Sequence, residues 1–77
     1  MQFRIYQYEN GQGGGELHNA YEAVTAAEAL RRFAVSEGLD PDQIEVVNDR
    51  EAFICYPDHL DRQGAEHLLC ADAVAEN

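Results

Sequence analysis

Thr25-Ala26-Ala27-Glu28 constrains this chain more than any other four residues. It has the form of a capping box. The Thr hydroxyl can accept from the Glu28 N–H while the Glu28 side chain reaches back to the Thr25 N–H. The apolar residues that follow, Ala26, Ala29, Leu30, Phe33 and Ala34, fall at helical spacing on one face. Glu28 and Arg32 stand four apart, suited to pair on the outside. Gly38 supplies a C-terminal stop. The pattern predicts a helix over 26–37 whose Leu30/Phe33 stripe packs on a sheet.

The flanking segments supply that sheet. Residues 2–9 predict a strand, with Phe3 and Ile5 alternating with Arg4, Tyr6 and Tyr8. Asn10 to Gly15 carries glycine at 11, 13, 14 and 15 and predicts a hairpin loop. A phosphate-cradling loop would need a helix N-terminus directly after it. Residues 16–24 instead alternate weakly as a second strand, and the chain has no Lys to meet a phosphate. Leu39-Asp40-Pro41-Asp42 predicts a turn, and Ile44 to Val47 a short strand. Arg50 to Tyr56 predicts another, with Ala52, Ile54 and Tyr56 on one face, Phe53 and Cys55 on the other, and Pro57 ending it. Ala65, Leu68, Leu69, Ala73 and Val74 suit a C-terminal helix; an edge strand over Glu66 to Val74 is the alternative.

The order β-β-α-β-β plus a C-terminal element implies an α+β fold. Its antiparallel sheet carries the main helix on one face and some of Arg4, Tyr6, Tyr8 and Tyr56 on the other. Seventy-seven residues without a linker or repeat make a single domain, 1–77.

Charge narrows the function classes. Fifteen Asp and Glu oppose five Arg, giving a formal net charge of −10. Such a field repels nucleic acid and anionic membranes and draws in basic protein surfaces. It equally suits plain solubility or a salt-loving source. No signal-peptide pattern opens the chain, and no apolar run approaches the ~20 residues that span a bilayer. Two Cys do not make a disulfide framework. The expectation is a cytoplasmic protein with reduced thiols.

Three constellations bear on chemistry. Cys55, His59, His67 and Cys70 are spaced C-x3-H-x7-H-x2-C, and two thiolates with two imidazoles suit tetrahedral zinc. Cys55 within a strand pattern equally suits a core position. The same residues could pair a Cys nucleophile with a His base. No G-x-S-x-G, Walker or H-E-x-x-H motif is present, so no catalytic residue, enzyme activity or cofactor is expected. The third constellation is aromatic: Tyr6 and Tyr8 alternate along the first strand in a chain of four Tyr and no Trp. Tyr joins a large apolar body to a polar tip and is common in binding hot spots. A homodimer seam is the alternative use of that face.

The stretch from Tyr21 to Ala34, Tyr-Glu-Ala-Val-Thr-Ala-Ala-Glu-Ala-Leu-Arg-Arg-Phe-Ala, looks like a strand-into-helix module of small bacterial and phage proteins. Size, acidity and element order over residues 1–57 resemble some anti-CRISPR proteins, which are small phage-encoded inhibitors. Several of those occupy the basic nucleic-acid channel of a Cas effector. The resemblance implies a phage or mobile-element origin and assigns no residue a role. The expectation is a non-enzymatic, nucleic-acid-mimic type of inhibitor that binds a basic protein surface. Tyr6 and Tyr8 are the expected anchors, and Glu9, Glu16, Glu22, Glu45, Asp49 and Glu51 the expected contacts. A zinc-stabilised domain or a housekeeping acidic domain are the alternatives.

Overall fold

The computed structural model describes residues 1–9, 15–60 and 66–76, with positions 16, 18, 58–60, 66 and 67 described by backbone alone. Of the expected loop, Asn10 to Gly15, residues 10–14 lie outside them. Strands β1 (Gln2–Glu9) and β2 (Glu16–Glu22) form one hairpin. Helix α1 (Ala26–Ser36) and a short 3-10 turn, Pro41–Gln43, follow. Strands β3 (Glu45–Asn48), β4 (Glu51–Leu60) and β5 (Glu66–Ala75) complete a five-stranded sheet of order β2-β1-β5-β4-β3. Every pairing is antiparallel. No helix of the described residues is long and apolar enough to cross a membrane.

The helix begins and ends where its caps dictate. The Thr25 Oγ1 accepts from the Glu28 N–H at 3.2 Å. The Glu28 carboxylate reaches back one residue further than a capping box requires, accepting from the Val24 N–H at 3.3 Å. Its other oxygen accepts from Arg32 at 3.1 Å, the expected i,i+4 pair. At the far end Gly38 takes φ +71°. The Gly38 N–H donates to the Val35 carbonyl and the Leu39 N–H to the Ala34 carbonyl, at 3.2 and 2.8 Å. This is a Schellman motif, and Leu39 makes its customary hydrophobic contact by packing on the core.

The helix lies on one face of the sheet. Ala26, Ala29, Leu30, Phe33 and Ala34 are fully buried against Phe3 and Ile5 of β1, Ala52 and Ile54 of β4, and Ala71 and Ala73 of β5. The middle strand offers only alanines there, so Leu30 and Phe33 can reach the sheet without clashing. Complete burial of each stabilises the fold by roughly 2–3 kcal/mol.

Two expectations need correction. The C-terminal stretch is neither a helix nor an edge strand. It is β5, the central strand, and it joins the two hairpins by pairing Phe3 with Ala75 on one side and Ala52 with Ala73 on the other. Alanine has high helix propensity. Yet Ala71, Ala73 and Ala75 alternate with Cys70, Asp72 and Val74, a period of two that serves a sheet covered on one side. Nor does Pro57 end β4, which runs on to Leu60. Cys55 and Cys70 are directly opposed at 4.1 Å between Cα atoms, the narrow, non-hydrogen-bonded kind of pair. Two residues on, Pro57 opposite Leu68 is the same kind, so its missing N–H breaks no bond to β5. The outer side of β4 is open there, because β3 pairs no further than Glu45 with Phe53.

Both sheet edges are blunted. β1–β2 shifts register between Ile5 and Tyr6, and β3–β4 between Val46 and Asn48. Such bulges discourage strand addition at an edge.

Candidate functional site: the open face of the sheet

Strand alternation sends the residues between the core positions to the face opposite the helix. The register then sets them in rows. One row crosses all five strands: Leu17, Tyr6, Asp72, Phe53 and Glu45. A second runs Tyr8, Cys70, Cys55, and a third Arg4, Val74, Glu51. Tyr6, Tyr8, Phe53, Asp72 and Val74 are half-buried, whereas Glu45, Glu51, Leu17 and Cys55 are exposed. Neighbouring strands lie roughly 4.8 Å apart, so along the first row rings and carboxylates alternate at that spacing from Tyr6 to Glu45.

Asp72 stands at the centre. Tyr6 and Phe53 flank it on either side, and the Tyr8 hydroxyl donates to its Oδ1 at 2.9 Å. The Tyr8 phenol is pushed up to about 12, first by burial, then by its bond to Asp72 and the negative charges of Asp72 and Glu51. At the end of the face Arg4 hydrogen-bonds Tyr6 and pairs with Glu76 at 2.5 Å, which holds its guanidinium still more firmly protonated. Gly15 runs close beneath the tyrosines. A Cβ there would stand 3.2 Å from the Tyr6 Cβ, 3.4 Å from the Tyr8 ring and 3.1 Å from the Gln7 carbonyl oxygen. This last glycine of the expected loop is therefore needed for close approach.

The structure gathers some of the expected contact residues and scatters others. Tyr6, Tyr8, Glu45 and Glu51 share the open face. Glu9 pairs in register with Leu69, on the helix side of the sheet. Glu16 lies opposite Gln7 and is described by backbone alone. Glu22 holds the N-terminal ammonium at 2.6 Å, and its carbonyl accepts from Arg32 at 2.7 Å. Asp49 sits in the β3–β4 turn, where its carbonyl accepts from the Ala26 N–H at 2.8 Å. Tyr56 belongs to the helix side, where its hydroxyl accepts from Gln7 Nε2 at 2.6 Å. Asp72 and Val74 were not legible as face residues while residues 66–74 read as a helix. The signal that could have found them is the same Ala-x-Ala-x-Ala alternation.

Cys55 and Cys70 form a disulfide, which corrects the expectation of reduced thiols. The β4–β5 register sets them directly opposite one another. Neither sulfur is then free as a nucleophile or a zinc thiolate. Of the proposed zinc set, His59 and His67 are opposite one another in the backbone register. Among the described residues no three His, Cys, Asp or Glu are grouped to hold a metal ion.

The fold and face define a class: an α+β sheet covered by a helix on one side and open on the other. No protein-family model, curated protein or solved structure matches the chain.

Proposed function

We propose that this chain is a non-enzymatic protein-binding domain whose open face occupies a basic, nucleic-acid-binding surface of a partner protein. An inhibitor of phage or mobile-element origin, of the anti-CRISPR or nucleic-acid-mimic type, acts in this way. The observation that carries the reading is the row Leu17–Tyr6–Asp72–Phe53–Glu45. It interleaves negative charges with π-faces, as a single-stranded nucleic acid does with phosphates and bases. An Arg from a nucleic-acid channel would find both partners it favours, a carboxylate and an aromatic face. The net charge of −10 would steer such a partner in from a distance.

The test is affinity capture from an extract of the native host on the immobilised chain. Captured protein should be basic, should leave the resin as salt rises, and should be displaced by added DNA or RNA. A triple variant, Tyr6→Ser, Asp72→Asn, Glu45→Gln, should capture far less. Capture that is indifferent to salt and to the triple variant would sink the reading.

A further inference from the structure

We propose that Cys55–Cys70 is a reducible clasp that regulates the open face, opened by a dithiol reductant of the thioredoxin class. The link to binding rests on the function proposed above; the clasp itself does not.

Its place in the fold carries the inference. The disulfide lies on the open face in the row of Tyr8, not among the helix-facing core residues. The row divides the β4–β5 hairpin. Toward the helix lie Ala52, Ile54, Ala71 and Ala73, all buried. Outward lie Tyr56–Leu60 and Glu66–Leu69, of which Tyr56, Leu68 and Leu69 are half-buried and Pro57 is exposed. β3 has already ended at Phe53, so the outer part of β4 has β5 as its only strand neighbour in the described sheet. The molecule is 43 Å in its longest dimension, more than a single helix of eleven residues can cover. The clasp therefore ties the outer hairpin at the border of the core, where Tyr56 still packs on the core and Leu69 still pairs with Glu9 of β1 before that support ends.

The two cysteines differ in access. Cys55 is exposed and Cys70 fully buried. A thiolate of the reductant would attack Cys55 Sγ, forming a mixed disulfide there while Cys70 Sγ leaves with the bonding electrons and takes a proton. The second thiol of the reductant then attacks the reductant's own sulfur in that mixed disulfide and releases Cys55, which is protonated in turn. Two electrons and two protons pass to the protein, and the reductant is left as its own disulfide. Opening removes the constraint beside Tyr8 and lets the outer hairpin loosen, while the core under α1 keeps its contacts.

The experiment uses the whole chain, oxidised and after excess dithiothreitol, followed by amide hydrogen exchange. Glutathione serves as a separate probe of the sulfur attacked. Peptide mapping should find glutathione on Cys55 rather than Cys70. On reduction, exchange in residues 56–60 and 66–69 should rise on the order of 100-fold, the scale expected from releasing a link between residues 15 apart. Exchange in α1 should change little. The Cys55→Ser/Cys70→Ser variant should match the reduced chain; should it not fold, the chemically reduced chain supplies the same readout. No reduction without denaturant, glutathione on Cys70, or loosening of α1 to the same degree would each overturn the clasp. Capture from host extract by the oxidised and reduced chains is read separately. Local loosening with no basic partner captured by either form fails the binding reading and leaves the clasp standing. Local loosening with equal capture by both forms removes its regulatory role.

Discussion

The two faces of this sheet are built from neighbouring residues of the same strands, yet they follow different rules. Toward the helix, β5 presents Ala71 and Ala73, both with no exposed surface. One residue along each time, it presents Asp72 and Val74 to the open side, half-buried, the first flanked by Tyr6 and Phe53 and the second by Arg4 and Glu51. The covered face gains stability from the exclusion of water and from close fit. The open face keeps rings and charges in place at little cost to that fit. Stability and binding are thus separated at a spacing of one residue, so substitutions can test them independently. The largest effect belongs to the covered face. Phe33→Ala removes a fully buried ring from the centre of the core and should destabilise by about 3–5 kcal/mol. In a domain of 77 residues that consumes much of the total. Urea unfolding followed by far-UV circular dichroism would show it, and a loss below about 1 kcal/mol would mean the helix does not sit where it is described.

A sharper comparison uses adjacent positions and one common product. Ala73→Leu forces three heavy atoms between Ile5, Ala52 and the helix, and overpacking of that kind costs about 1–3 kcal/mol. Val74→Leu, on the next residue, turns toward Arg4 and Glu51 and should change stability by less than about 0.5 kcal/mol. Equal effects, measured as urea midpoints at unchanged slope, would erase the distinction between the faces.

Much of this arrangement was legible in the chain because local signals state it twice. Thr25 and Glu28 mark the helix start, Gly38 marks its end, and Leu30 and Phe33 repeat at the helical period. The alternation of Phe3 and Ile5 with Arg4, Tyr6 and Tyr8 likewise places the aromatic face. β5 was illegible because its two messages conflict. Its alanines have the composition of a helix and the spacing of a strand, and tertiary pairing to β1 and β4 decides between them. The rest of the site depends on that strand. Without β5 in the middle, Asp72 has no place between Tyr6 and Phe53, and Cys70 has no reason to face Cys55. Pro57 misled for a related reason, since its tolerance depends on how far β3 extends, and β3 stops at the pair Glu45–Phe53.

The smallest expected effect asks how wet the open face is. Tyr8 is the test because the fold favours its neutral form. Its folded pKa, about 12, lies above the ordinary 10.0, with burial as the leading cause and the bond to Asp72 second. The stability it contributes is therefore fully present below pH 10 and is lost as pH rises from about 10 through about 12. In a spectrophotometric titration of the tyrosines, Tyr8→Phe should remove the ionisation step near pH 12. Asp72→Asn should move that step downward without returning it to the ordinary value, because the carboxylate is not the leading cause. If Asp72→Asn restores the ordinary value, Tyr8 is solvated and only charge distinguishes it. If Tyr8→Phe leaves the alkaline step untouched, Tyr8 is not held against Asp72 at all. The retained part of the shift is the informative result. It would mean that the open face, although it faces water, already shelters a ring in the way a binding surface must before a partner arrives.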